Sequence, residues 1–193
     1  MFMNKNIVIL GCQRAGKTTL TNMLASNSKY TIFSGDALVF AFSKSMPELG
    51  IDVSLPISQK SKLFAPFLAS YFKAFCLAYP SQKFLIESCQ ILPHDLLAQP
   101  FFKECQLVCL GYPNATVEEM FSKIRYNDKL IPNSYSAQLS DNVLKKRIAS
   151  WITYSQRLQA ESNELGIPFF ETNNDRMQQL SILAAKLQNN LER

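Results

Sequence analysis

The sequence holds one histidine, His94, and five cysteines with no Cys-x-x-Cys pair among them. A structural zinc site needs four closely spaced nitrogen or sulfur ligands, so this supply speaks against a zinc module. The odd cysteine count speaks equally against a disulfide scaffold and points to a reducing cytosol. Cys105 and Cys109, in or beside the apolar stretch QLVCL, read as small core residues rather than reactive thiols. Long apolar runs are missing as well. The longest apolar region, residues 63–79, is interrupted by Pro66 and Lys73 and falls short of the ~20 residues that a membrane-spanning helix needs. It reads as a buried or half-buried helix. The opening MFMNKNIVIL has an apolar run of only four residues, too short for the core of a secretory signal, and the expectation is a cytoplasmic protein. There is no low-complexity tract, no internal repeat and no run of five or more basic residues, which speaks against disordered tails and a nucleic-acid-binding arm.

What is present is an ordinary globular composition, 47% hydrophobic and 18% charged over 193 residues. That length suits a single domain spanning 1–193, since it is too short for two well-packed cores. The net charge of +5 is compatible with an anionic small substrate and does not by itself demand nucleic acid.

Short apolar runs alternate with amphipathic stretches along the whole chain. Residues 5–10, 30–33, 84–87, 107–110 and 167–170 read as strands buried on both faces. Between them, helices are expected from Lys17, over 37–44, along the Phe64, Leu68, Phe72 and Phe75 face that stops near Pro80, over 93–103, from the capping box Thr116-Val-Glu-Glu119, over 141–165, and from about Asp175. The aromatic-rich helix has enough apolar side chains to suggest a homodimer contact. The polar stretch YNDKLIPNSYSAQLS, residues 126–140, shows no period and reads as a surface excursion, with a lid expected at about 126–147. Strands alternating with helices call for a parallel sheet covered on both faces.

The chemistry is concentrated in Gly11-Cys12-Gln13-Arg14-Ala15-Gly16-Lys17-Thr18-Thr19. Its Gly-x-x-x-x-Gly-Lys-Thr pattern is a complete phosphate loop, and it arises by chance in about one chain of this size in a hundred. It also follows a buried strand and opens a helix, the context in which backbone N–H groups converge on phosphate oxygens at the positive end of a helix. Lys17 supplies a point charge for terminal phosphates. Thr18 offers its hydroxyl to magnesium, which binds few protein oxygens and keeps its waters.

GCQRAGKTT, the SGD after the second strand and the IES after the third together resemble the nucleoside and small-molecule kinase branch of the P-loop NTPases, the group that includes adenylate kinase, shikimate kinase, chloramphenicol phosphotransferase and the zeta-toxin-like kinases. The resemblance in order of elements covers nearly the whole chain, while only the phosphate loop is a specific motif. It implies a three-layer α/β/α fold with strand order 2-3-1-4-5, and ATP and Mg²⁺ as nucleotide and metal. It further implies that Asp36, after the second strand, orients or deprotonates an acceptor hydroxyl, and that Glu87, closing the third strand, joins Thr18 at magnesium. Basic residues of a lid would stabilise the migrating phosphoryl group. Arg125 and Arg147 are the candidates, because a guanidinium grips phosphate oxygens in two places. Thr172-Asn173-Asn174 matches the place where such kinases cradle adenine.

Plainer readings stay open for each: Asp36 as a helix N-cap, Glu87 as an exposed strand end, and Lys123, Arg125, Lys129, Lys145, Lys146 and Arg147 as a solvated helix face. The sequence lacks the Asn-Lys-x-Asp and Asp-x-x-Gly motifs of a signalling GTPase and the ABC-type signature. What remains is an ATP-dependent kinase of a small metabolite, nucleoside or nucleotide or, alternatively, a nucleotide-binding regulatory protein or ATPase whose kinase site is vestigial.

Overall fold

A computed structural model describes residues 6–26, 30–130 and 134–192. Its centre is a five-stranded parallel sheet built from β1 (Ile7–Gly11), β2 (Tyr30–Ser34), β3 (Lys83–Ser88), β4 (Gln106–Gly111) and β5 (Phe169–Glu171) in the order 2-3-1-4-5. The expected three-layer α/β/α architecture is the one observed. Among the described residues, seven α-helices cover the sheet: α1 (Lys17–Ala25), α2 (Gly35–Ser45), α3 (Ile57–Ala78), α4 (Pro93–Leu97), α5 (Val117–Asp128), α6 (Asp141–Leu165) and α7 (Arg176–Glu192).

Alternation along β1 sends side chains to two separate cores. Ile7 and Ile9 pack with Leu20, Leu24, Ile148, Leu158 and Leu180 from α1, α6 and α7. Val8 and Leu10 face the other layer, where Phe64, Leu68 and Phe72 of α3 meet Val39 and Phe84. Phe72 stacks on Phe84 at 4.1 Å between ring centroids and meets Phe33 edge-on at 5.0 Å. The aromatic face anticipated as an interface is therefore absorbed largely within the chain, leaving Leu63, Tyr71, Leu77 and Tyr79 exposed.

The aromatic-rich helix forms where its apolar face is expected: α3 runs through Pro66 for 22 residues and ends at Ala78, before Pro80. Pro66 and Lys62, whose carbonyl loses its N–H partner, are both exposed, so that carbonyl lies on the solvated side while Phe64, Leu68 and Phe72 anchor the other. The helix expected over 93–103 is instead split into α4 and a 3-10 turn at Pro100–Glu104. Pro100 has no N–H to donate and biases Gln99 to the extended conformation it adopts, φ −90 and ψ 115. The excursion over 126–140 is also shorter than expected: α5 continues to Asp128, and Tyr135–Gln138 forms a 3-10 turn. Of the expected lid at about 126–147, residues 131–133 lie outside the described residues.

The helix ends follow local chemistry. The Thr116 hydroxyl accepts from the Glu119 N–H at 3.3 Å while the Glu119 carboxylate accepts from the Thr116 N–H at 3.0 Å, which completes the capping box. Gly166 closes α6 at φ 66. Register places Ser34 opposite Glu87, Leu10 opposite Ser88, and Gly11 opposite Leu110. The carboxyl ends of four strands thus meet along one edge of the sheet, where ligands of such folds bind. No described helix is long and apolar enough to cross a membrane.

Candidate active site

The phosphate loop leaves β1 at Gly11 and enters α1 at Lys17. A Cβ on Gly11 would lie 2.7 Å from the Leu110 carbonyl oxygen, so the loop can leave the sheet this close to β4 only without a side chain. Gly16 holds φ 94, and a Cβ there would also meet the Leu180 side chain at 2.7 Å. Beyond it, the N–H groups of Lys17, Thr18 and Thr19 find no backbone acceptor among the described residues, as expected at the start of a helix. They form an electropositive cradle. Lys17 is 7% exposed and its Nζ donates to the Cys12 carbonyl at 3.1 Å, folding the charge over the loop. This cradle fits a phosphate group.

The loop is braced from behind. The Tyr112 hydroxyl donates to the Gln13 carbonyl at 2.5 Å, and the Tyr112 N–H donates to the Ser155 hydroxyl of α6 at 2.6 Å. Ala15 is buried and donates to the Cys12 carbonyl at 3.3 Å. Burial pushes the Cys12 thiol up to about 11 despite the nearby Lys17, so it stays protonated and structural at neutral pH.

Thr18 and Glu87 lie within hydrogen-bond distance of each other. The Thr18 hydroxyl lies 3.0 and 3.1 Å from the two Glu87 carboxylate oxygens. Burial raises the Glu87 carboxyl above its ordinary range, Lys17 and the Thr18 hydrogen bond oppose that rise, and Asp36 adds to it. A half-buried carboxylate beside a hydroxyl, at the mouth of a phosphate cradle, is a donor set of the hard-oxygen kind that magnesium takes.

Asp36 lies in the first turn of α2 but does not cap it; Ser34 does, accepting from the Ala37 N–H at 3.3 Å. The Asp36 carboxylate turns instead toward the end of β3. There it accepts from the Cys89 N–H at 2.8 Å, the Ser88 hydroxyl at 3.1 Å and the Cys89 thiol at 3.1 Å. Three donors hold it in one orientation.

Two cavities meet at this loop. The larger, about 880 Å³, runs from Gly16, Lys17, Thr18 and Thr19 past Tyr112 and Lys123 to Thr172, Asn173, Asn174 and Arg176. Lys123 crosses it to donate to the Asn173 carbonyl at 2.7 Å and its side-chain oxygen at 2.9 Å. The smaller, about 380 Å³, is lined by Gln13, Asp36, Ser134, Tyr135 and Trp151. Arg14 and Lys17 border both.

The expected lid arginines are placed differently. Arg125 borders neither cavity. Its Nε and Nη2 bind Asp141 at 3.1 and 2.7 Å, Nη1 donates to the Ser136 carbonyl at 2.8 Å, and Nη2 also donates to the Leu139 carbonyl at 2.6 Å. With all three nitrogens engaged on its own segment, it braces that segment rather than facing a phosphate. Arg147 is exposed and lies over the Tyr135 ring at 5.1 Å, so it reaches the smaller cavity only through that ring.

Sequence reasoning missed Tyr112, Trp151, Ser134, Ser136, Asp128 and Arg176. Tyr112 follows the last residue of β4, a strand-end position like those of Asp36 and Glu87. The others come from α5, α6, α7 and the segment before α6 and carry no local pattern.

Solved structures share the fold that brings these residues together. A gluconokinase from Sinorhizobium meliloti 1021 superposes with a TM-score of 0.60 at 12% identity, over 100% of this chain and 96% of its own. A shikimate kinase from Bacteroides thetaiotaomicron gives 0.52 at 16% identity, over 98% and 99%. A shikimate kinase from Acinetobacter baumannii in complex with shikimate gives 0.52 at 18% identity, over 96% and 94%. The fold is that of these P-loop kinases. No family model and no curated protein matches the sequence.

Proposed function

We propose that the protein transfers the γ-phosphoryl group of ATP to a hydroxyl of a small molecule, with ATP in the larger cavity and the acceptor in the smaller. The observation that carries this reading is the pair of cavities opening on either side of Lys17 and Arg14, with the Asp36 carboxylate in the second. A nucleotide-binding protein without an acceptor needs only the first.

The residues divide the work. The N–H groups at the start of α1 and the Lys17 ammonium hold and neutralise phosphate oxygens. Thr172, Asn173 and Asn174, at the far end of the larger cavity, suit the base. Asp36, fixed by Ser88 and Cys89, accepts a hydrogen bond from the acceptor hydroxyl and takes its proton as the new bond forms. Trp151 and Tyr135 give the acceptor an aromatic wall. Thr18 and Glu87 would hold magnesium, which when bound offsets the charge of the phosphate oxygens.

The test is to incubate the protein with ATP, magnesium and a panel of small hydroxylated and phosphorylated acceptors, following products by phosphorus NMR. A new phosphoester signal with loss of the γ-phosphate is the expected outcome. ATP bound with no acceptor phosphorylated overturns the reading in favour of a regulatory nucleotide-binding protein.

A further inference from the structure

The phosphate loop carries an arginine where its backbone favours glycine. Arg14 sits at φ 64, a left-handed conformation that is strained for a residue with a Cβ. Glycine would relieve that strain, so what the arginine side chain reaches is the informative observation.

One end of the guanidinium is held and the other is offered. Nη2 donates to the Ser134 hydroxyl at 3.0 Å and to the Ser136 hydroxyl, and lies 3.6 Å from Asp128 Oδ1. Nε and Nη1 have no partner among the described residues, although the side chain is 28% exposed and borders both cavities. Three of its five N–H donors thus remain for a ligand. The holding group is itself tightly built. Asp128 is 5% exposed, and its Oδ1 accepts from the Ser134 and Ser136 hydroxyls at 2.6 Å each. Its Oδ2 has no hydrogen-bond partner among the described residues and lies 3.5 Å from Arg125 Nη1. Burial alone would raise the Asp128 carboxyl, but the two hydroxyls and the charges of Arg14 and Arg125 outweigh it and hold it below its ordinary value. It therefore stays ionised, and keeps Arg14 in place, across the neutral range.

Resting on the phosphotransfer reading above, we propose that Arg14 is a catalytic residue whose free donors meet the migrating phosphoryl group between the two cavities. The loop itself then supplies the guanidinium that the sequence led us to seek in the lid. In the step, the bond from the γ-phosphorus to the ADP bridging oxygen breaks and its electron pair leaves with ADP. The acceptor oxygen bonds to that phosphorus, and the hydroxyl proton passes to Asp36. Arg14 gives and takes no proton; its charge and fixed donors favour the arrangement in which negative charge is spread over the transferring oxygens. Ser134, Ser136 and Asp128 are positioning residues, and Arg125 braces them.

The experiment compares wild type and Arg14→Gly for binding of ADP with magnesium, and of ADP with magnesium and aluminium fluoride, which mimics the transferring group. Glycine suits φ 64, so the variant should melt no lower than wild type, and a thermal melt checks this. The expected result is ADP affinity unchanged within about threefold, with affinity for the aluminium fluoride complex reduced by about 10² or more. Equal loss of both ligands, or trapping by the variant as tight as by wild type, overturns the inference and leaves the phosphotransfer reading standing. If wild type binds ADP but never traps aluminium fluoride, both fall together.

Discussion

The two cavities beside the phosphate loop are made in different ways. The larger is shaped at its phosphate end by backbone: N–H groups at the head of α1, a glycine at φ 94 and a lysine folded over its own loop. The smaller is walled by side chains brought from the phosphate loop, α2, α6 and the segment before α6, which lie far apart in the sequence. A backbone cradle recognises any phosphate chain, whereas a side-chain wall recognises one acceptor. General and specific recognition are thus separated by a partition of two residues, Arg14 and Lys17.

If that division holds, damage should be confined to one side. The largest effect is expected from Asp36→Asn, which removes the proton acceptor: phosphotransfer should fall by about 10²–10⁴ while ATP affinity, measured by calorimetry, stays near wild type. A matching loss of ATP affinity would collapse the distinction. Lys17→Met should do the reverse, weakening ATP binding and lowering turnover by about 10²–10³, with acceptor protection against heat or proteolysis retained.

Glu87→Gln sharpens the comparison through pH. A carboxyl raised by burial contributes stability that is present below its unfolded value and lost as pH rises through its folded value, so at pH 7 the ionised form is a liability. The variant should melt about 1–3 °C higher without ligand yet bind magnesium nucleotide more weakly. Its binding should also lose the decline that wild type shows as pH falls toward the raised value. Melting that is lower in Glu87→Gln at pH 7 would contradict this sign. Trp151→Ala is expected to raise the acceptor KM about 10-fold, through one lost apolar contact, and to leave the KM for ATP alone. Steady-state kinetics in both substrates decides it.

Legibility in the sequence follows the same partition. The alternation of strands and helices, the capping box at Thr116, the end of α6 at Gly166 and the whole phosphate loop are local or periodic, so short patterns were enough to find them, whereas strand order came only with the family resemblance. Asp36 and Glu87 were candidates because they sit at strand ends. The smaller cavity was not found, because Trp151 looks like any other core residue of an amphipathic helix and Ser134 like any loop serine. Arg125 misled for a physical reason: a basic residue near a lid has the charge to meet phosphate, but only the fold reveals that Asp141 and two carbonyls consume its donors.

Behind the loop stands the strut from Ser155 through Tyr112 to the Gln13 carbonyl. A phosphate loop supported this way has its curvature imposed by α6 before any nucleotide arrives. Little ordering is left to occur on binding, so association should follow a single diffusional phase rather than wait on a slower rearrangement, and the residence time of the nucleotide becomes the quantity that Tyr112 controls.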